Sequence, residues 1–258
     1  MTVPRPKPTF PFLDWPGPIA FAHRGGALEN PENTMKAFGH AVSLGYHYIE
    51  TDVQLTADRV LIVFHDDTLD RVTDRLGRIS EMTWAEVGRA RVAGTEPIPR
   101  FDELLAAWPE VRLNIEPKRE ACVEPLADAI RRAGAIDRVC VGSFNDARVT
   151  RMRRLLGPRL CTAAGVAEIV RVKAASYGVP VGNVASSCVQ VSVGYKGLPV
   201  VDARFVDTAH KLALPVHIWT IDGPAQMRRL LDLGVDGIMT DRPTALRKVL
   251  EDRGEWVE

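Results

Sequence analysis

Short apolar runs alternate with amphipathic segments from about residue 19 to the end of the chain. This alternation is typical of parallel βα units, in which each strand is followed by a helix that packs on the sheet. We expect eight strands, at Ile19–Arg24, Tyr48–Leu55, Val111–Pro117, Val139–Ser143, Leu160–Ala164, Cys188–Val193, Val216–Ile221 and Gly237–Met239. Eight such units predict an α/β fold, a (βα)8 or TIM barrel.

The segments between the strands include five with helical periodicity, at Asn33–Ser43, Cys122–Ala133, Asp146–Leu156, Asp202–Leu212 and Ala225–Leu233. Asn33 is expected to cap the first helix. Val60–His65 should pair back on the second strand through a turn at residues 57–59. Residues from about 70 to 95 lack strong periodicity and contain the turn-prone strings DRLG and AGTEP. They predict a short insertion over the barrel mouth, after the second strand and its hairpin.

Length and composition fit one domain. The chain has 258 residues, of which 46% are hydrophobic, enough for a single barrel with a sizeable core. We expect a barrel domain over residues 19–258, preceded by a proline-rich segment at 1–18. That segment is too rich in proline for a signal peptide or a membrane span, which favours a cytoplasmic protein with no stable membrane insertion.

Charge and cysteine content exclude further classes of function. Lys and Arg together number 33, as do Asp and Glu, so no basic field would attract nucleic acid, and a small anionic substrate must be bound locally. Nothing in the pattern indicates an oligomeric state. Cys122, Cys140, Cys161 and Cys188 form no CxxC pair. They are interpreted as buried thiols rather than a disulfide framework, and no role is assigned to them.

Three acidic residues stand where apolar runs end. Glu50 and Asp52 are two apart on one strand, so their side chains face the same way, and Glu116 ends the next long strand. Three carboxylates with no cysteine nearby form an oxygen site suited to Mg²⁺ or Ca²⁺. Lys118 and Arg24 could instead pair with these acids, and the spacing alone leaves both interpretations open.

Two histidines stand in similar positions. His23 and His65 also follow apolar runs, and the C-terminal ends of barrel strands converge on one mouth. Near neutral pH an imidazole can take a proton from an attacking hydroxyl or give one to a leaving alkoxide. A single histidine there could be structural, but together with the three acids the pair favours catalysis. Arg24 and Lys118 would offer cationic donors to phosphate oxygens.

Seven segments in fixed order carry a resemblance to a known family. They are HRG, PENT, IETDVQLT, VFHDDTLDRVTD, LNIEPK, HIWTID and GVDGIMTDRP, and in this order the chain resembles the glycerophosphodiester phosphodiesterase family. The resemblance implies a (βα)8 barrel with a short insertion after the second strand. It also implies hydrolysis of deacylated phospholipids such as glycerophosphocholine to glycerol 3-phosphate and an alcohol, in lipid metabolism.

The family pattern also implies roles for individual residues. His23 and His65 would be the acid/base pair, and a single divalent cation, Mg²⁺ or Ca²⁺, would be held by Glu50, Asp52 and Glu116. Arg24 and Lys118 match its phosphate-contacting positions. Trp219 matches the WT position on the seventh strand, where an indole can form an apolar wall for the substrate. The substrate side is also expected to include Gln190, Phe144 and Asp236.

Two alternatives remain open. A lysophospholipase D would need an apolar trough for an acyl chain, which Met82, Trp84 and Val87 of the insertion could supply. A barrel that binds phosphorylated ligands without turnover is the second, although the complete set of two histidines and three acids argues against it. The sequence does not indicate the head group, the choice between Mg²⁺ and Ca²⁺, or which histidine acts first.

Overall fold

The computed structural model describes residues 6, 7, 9–195 and 197–257. Its central sheet has eight parallel strands, β1 (Ile19–His23), β2 (Tyr48–Leu55), β3 (Arg112–Pro117), β4 (Val139–Val141), β5 (Cys161–Thr162), β6 (Val189–Val191), β7 (Val216–Ile218) and β8 (Gly237–Thr240). Their order across the sheet is β5-β4-β3-β2-β1-β8-β7-β6. A parallel bridge between Ala163 and Cys188 joins the two outer strands. The sheet is therefore closed, and the predicted (βα)8 barrel is confirmed.

Helices follow the strands. They are α1 (Met35–Ser43), α2 (Trp84–Val87), α3 (Phe101–Ala107), α4 (Val123–Arg132), α5 (Asp146–Leu156), α6 (Val166–Ala175), α7 (Ala203–Lys211), α8 (Pro224–Asp232) and α9 (Pro243–Asp252). The five predicted helices are present, within two residues at each end. In the described ranges, none of these helices has the length and apolar character that crossing a bilayer requires.

The predicted cap of α1 is wrong by one residue. Thr34 is the N-cap, and its hydroxyl accepts a hydrogen bond from the backbone N–H of Ala37 at 3.2 Å. Asn33 has a φ of +56°, a left-handed conformation that asparagine tolerates better than most residues. Its side chain bonds to Asp52 and Thr51 instead, because it is buried beside the end of β2.

The hairpin after β2 forms as predicted, and a compact insertion follows it. Leu61–Val63 pairs antiparallel with β2. The insertion holds a 3-10 turn at Ile79–Glu81, then α2, and a small pair of strands at Arg91–Val92 and Glu96–Pro97. Its buried residues form a separate core together with those of the hairpin, made of Ile62, Phe64, Leu69, Ile79, Val87, Ala90, Val92 and Ile98.

The packing of this core shows which side chains of the insertion are free to form the expected trough for an acyl chain. Val87 is fully buried, and Met82 and Trp84 pack against the same core. The expectation that Val87 lines a trough is therefore wrong, whereas Met82 and Trp84 are only half-buried and the trough itself stays a prediction.

The proline-rich segment packs against one end of the barrel. Phe12 and Leu13 are buried, and the Phe12 ring meets Tyr48 edge-on with centroids 5.3 Å apart. The Tyr48 hydroxyl donates to the Phe12 carbonyl at 2.7 Å. The described part of the segment therefore covers the N-terminal ends of the strands, while residues 1–5 and 8 lie outside the described residues.

Candidate active site

The mouth is built from the C-terminal ends of three neighbouring strands. His23 ends β1 and pairs in register with Glu50 on β2. Asp52, further along β2, pairs in register with Glu116 on β3. Because residues opposite each other on parallel strands point to the same face, these four side chains share one edge of the barrel interior. The structure thus brings together the acids and one of the histidines that the sequence singled out.

His23 is held by a carboxylate that sequence reasoning missed. Its Nδ1 lies 2.7 Å from Asp241 Oδ1, and its Nε2 lies 3.7 Å from Glu50 Oε2. Burial disfavours the charged imidazolium, but Glu50 and Asp241 outweigh it and raise the pKa of His23 above its ordinary value. Asp241 stands directly after β8, in the TDRP segment. The family resemblance includes this segment but implies no role for Asp241. The parallel pairing of β8 with β1 places it beside His23.

His65 is oriented in the same way by its neighbour. It follows the hairpin strand, and its Nδ1 lies 2.5 Å from Asp66 Oδ1. Arg71 of the insertion contacts Asp66 at 2.5 Å and Glu32 at 2.7 Å. Burial would raise the pKa of Asp66, but its bonds to Arg71 and His65 lower that pKa to about 2. The insertion therefore positions the second histidine.

Asp52 and Glu116 are paired with cations of the protein. The Lys118 ammonium lies 3.3 Å from Asp52 and 3.0 Å from Glu116, and the Arg24 Nε lies 3.3 Å from Asp52. Asn33 donates to Asp52 at 3.2 Å. Burial would raise the pKa of Asp52, but Lys118 and Arg24 outweigh it and lower that pKa. The pairing that the sequence left as an alternative to metal binding is thus present.

Of the three acids, Glu50 has the least positive charge around it to balance its own negative charge. Burial, with the charges of Asp52 and Glu116, raises the pKa of Glu50 to about 7, and His23 and Arg24 only partly oppose this rise. Among the described residues, the one group of three potential metal ligands whose atoms all lie within 4.8 Å of one another is elsewhere in the barrel. The three carboxylates are therefore more widely spaced than that. Their oxygen donors and the buried negative charge nevertheless suit a hard divalent cation.

A tight turn places Arg24 among the acids. Arg24, Gly25 and Gly26 all have positive φ. A Cβ at Gly25 would lie 2.7 Å from the Ala37 side chain, so the turn needs glycine there. The Arg24 backbone N–H donates to the Glu50 carbonyl at 2.9 Å, which fixes the position of the arginine over the mouth.

Comparison with known proteins decides the family. The family model of the glycerophosphoryl diester phosphodiesterase family matches residues 23–245. The chain belongs to this family. It is 39% identical to the "Probable glycerophosphodiester phosphodiesterase 2" of Mycobacterium tuberculosis, over 96% of this chain and 97% of the relative. The predicted class, a phosphoric diester hydrolase, is thereby confirmed.

Solved structures of family members share the fold. A Silicibacter pomeroyi protein that carries the family's name superposes with a TM-score of 0.81 at 25% identity, over 96% of this chain and 100% of that one. A phosphodiesterase of Oleispira antarctica, solved with the product sn-glycerol-3-phosphate, gives 0.77 at 22% identity, over 91% and 97%. This second likeness bears on the fold alone.

The far side of the mouth of this phosphodiesterase is apolar. Trp219 follows β7 and meets Phe144 edge-on, with ring centroids 5.6 Å apart. Phe144 is 62% exposed. Each residue follows the C-terminal end of its strand, β4 or β7, which is the end of the barrel that carries the mouth, and the substrate wall stays a prediction.

Of two other predicted substrate residues, Gln190 stays a prediction and Asp236 lies elsewhere. Gln190 exchanges two amide hydrogen bonds with Asn114, at 3.1 and 3.0 Å, and so forms part of the floor below the mouth. The placement of Asp236 at the substrate is wrong. Asp236 precedes β8, at the opposite end of the barrel, where it is buried and lies 2.7 Å from His210 Nε2. A residue before a strand cannot reach the mouth that its far end lines.

Proposed function

We propose that this phosphodiesterase hydrolyses glycerophosphodiesters, such as glycerophosphocholine, to glycerol 3-phosphate and an alcohol, with His23 and His65 as its acid/base pair. One observation carries these roles. Each histidine has its Nδ1 against a carboxylate, Asp241 or Asp66. Such a contact fixes the tautomer and leaves Nε2 for proton transfer. The family match and the 39% identity to the Mycobacterium tuberculosis relative support the substrate class.

The two histidines differ in their surroundings. The side chain of His23 is 16% exposed and that of His65 is 30% exposed. One takes the proton of the attacking substrate hydroxyl while the other gives a proton to the departing alcohol, and water then opens the cyclic phosphate to give glycerol 3-phosphate. Asp241 and Asp66 act as positioning residues, since they hold the imidazoles rather than the substrate.

A single divalent cation, Mg²⁺ or Ca²⁺, is the proposed cofactor. Glu50, Asp52 and Glu116 would hold it, because they offer oxygen donors and because Glu50 is buried without a full complement of positive charge. The cation would stabilise negative charge on the phosphate oxygens. It would compete with Lys118, which contacts Asp52 and Glu116.

Substrate contacts follow from the two sides of the mouth. Arg24 and Lys118 donate to phosphate oxygens, and each already lies among the acids that would surround the phosphate. Trp219 and Phe144 provide an apolar wall for the glycerol or the head group. A cytoplasmic location and a single barrel domain over residues 19–258 stay predictions.

The test is release of glycerol 3-phosphate from glycerophosphocholine and glycerophosphoethanolamine. We expect release that EDTA abolishes and that Mg²⁺ or Ca²⁺ restores. Release that persists in EDTA would contradict the cofactor but not the reaction. No release with any metal, together with cleavage of a long-chain lysophospholipid, would favour the lysophospholipase D alternative. A lack of turnover on both kinds of substrate would favour a binding-only barrel.

A further inference from the structure

Three of the four cysteines meet inside the barrel. Cys140 lies on β4, Cys161 on β5 and Cys188 directly before β6. Their sulfur atoms all lie within 4.8 Å of one another. All three side chains are buried, at 0 to 1% exposure. In the described ranges, no other group of three or more histidine, cysteine or acidic side chains is this close.

We propose that Cys140, Cys161 and Cys188 bind one Zn²⁺ in a closed, structural site inside the barrel. Thiolate sulfur is a preferred ligand of zinc, at about 2.3 Å, so sulfurs at tetrahedral corners are about 3.8 Å apart. The observed spacing, within 4.8 Å, needs only small side-chain adjustments to reach that value. The site is independent of the proposed function, since it shares no ligand with the mouth.

His217 supplies the second observation that points to a metal. It lies on β7, next to β6, and is fully buried, and its Nε2 has no hydrogen-bond partner. A buried polar atom without a partner is rare and costs stability. The imidazole shares the interior face of the sheet with Cys188, since His217 pairs in register with Gln190, two residues after Cys188. His217 is not among the three side chains whose ligand atoms all lie within 4.8 Å of one another, so a shift of the ring or of the thiols would be needed to complete a Cys₃His set, a common tetrahedral zinc site.

The other ring nitrogen of His217 has a neighbour that can orient the ring. The Gln190 side-chain amide lies 3.4 Å from His217 Nδ1, and Gln190 is itself held by Asn114. Histidine ligands of metals usually bond through their second nitrogen to a fixed polar group. The amide pair that forms the floor of the mouth would therefore also support the zinc site below it.

The two sites lie at different positions along the strands, and Cys140 is in register with Asn114 of the amide pair. Gln190 is nearer the mouth than Cys188 on the same stretch of chain, and Asn114 is further from the mouth than Glu116 on β3. Soft sulfur ligands and hard carboxylates select different cations. We therefore expect zinc at the thiols and the exchangeable cation at the mouth.

Electrostatics at this end are compatible with a thiolate site. Three thiolates and Zn²⁺ carry a net charge of −1, and binding releases three protons from the thiols. The Arg112 guanidinium lies at the same end, 5.2 Å from the centroid of the Tyr48 ring, and Tyr48 packs in the same core cluster as the three cysteines.

The first experiment measures zinc in the full chain after expression with added Zn²⁺ and purification through EDTA, which removes exchangeable cations from the mouth. We expect one equivalent of zinc, retained in the native protein and released on unfolding. A protein without zinc and with four free thiols would overturn the proposal. So would a disulfide between Cys140 and Cys161, which are paired in register across β4 and β5.

A matched pair of variants tests the ligands. Cys188→Ser should lose the bound zinc, while Cys122→Ser should keep it, because Cys122 is equally buried but lies in a different core cluster. Full zinc content in Cys188→Ser would overturn the assignment. If Cys188→Ser does not fold, protein expressed with Co²⁺ decides the question. A thiolate-to-cobalt charge-transfer band in wild type supports the site, and its absence from protein with reduced thiols contradicts it.

Discussion

The two ends of the barrel interior contain side chains of opposite character. At the mouth, Asp52 and Glu50 are buried with charged partners around them. At the other end, Phe12, Phe21 and Tyr48 pack ring against ring. Both environments occur along one strand, since Tyr48, Glu50 and Asp52 are alternate residues of β2 and face the same way.

This difference separates stability from chemistry. Burying charged groups is unfavourable unless they are paired, and such sites are typically retained for function. Burying aromatic rings is favourable and contributes directly to folding. We therefore expect changes at the mouth to act on turnover, and changes at the aromatic end to act on the free energy of unfolding.

The largest expected effect is on turnover at the mouth. Replacing His23 or His65 with Ala should lower kcat by about two to four orders of magnitude, because each removes a positioned proton-transfer group. Release of glycerol 3-phosphate measures it. His47→Ala is the matched control, since His47 lies beside Trp15 at the other end. A near-normal rate in either mouth variant would remove that histidine from the mechanism.

The second prediction concerns stability at the aromatic end. Phe12 is 1% exposed, so Phe12→Ala should lower the free energy of unfolding by about 3–5 kcal/mol. Urea unfolding measures the change, and kcat should stay near wild type where the variant is folded. Phe10→Ala, at a partly buried ring of the same segment, should cost less. A fall in the kcat of folded Phe12→Ala would contradict the expectation that the aromatic end affects only the free energy of unfolding.

A smaller effect is expected when a proposed metal ligand is replaced, and it should appear as a change in the metal dependence of activity. Glu50→Gln should raise the Mg²⁺ or Ca²⁺ concentration for half-maximal activity by about tenfold or more, because a charged donor is lost. Excess metal should restore part of the rate. The control is Glu124→Gln, an exposed acid on α4. Unchanged metal dependence in a folded Glu50→Gln protein would place the cation elsewhere.

Local patterns predicted the barrel and most of the site, because strand ends and apolar alternation are properties of short segments. What they did not predict depends on contacts between distant parts of the chain. The bond between His23 and Asp241 joins residues 218 positions apart. The thiols on β4, β5 and β6 come together only when the barrel closes at Ala163 and Cys188.

The incorrect predictions have similar causes. Val87 looked available for a substrate because nothing in its segment showed that the insertion has its own core. Asp236 was placed at the mouth although it stands before its strand, where the side chain bonds to His210 instead. Asn33 was expected to cap a helix, but its amide is needed by Asp52.

The smallest predicted effect tests whether strain at the mouth end is needed for the reaction. Arg59, in the turn of the hairpin that leads to His65, is exposed and has a φ of +64°. A left-handed conformation costs a non-glycine residue about 1–2 kcal/mol, and the greater freedom of unfolded glycine offsets part of any relief. Arg59→Gly should therefore raise the free energy of unfolding by up to about 1 kcal/mol, with kcat unchanged.

Arg59→Ala is the control, because alanine has the same strain without the long side chain. Equal unfolding midpoints for the two variants would mean that the turn relaxes without glycine, and a lower kcat in Arg59→Gly alone would show that the reaction depends on a rigid hairpin.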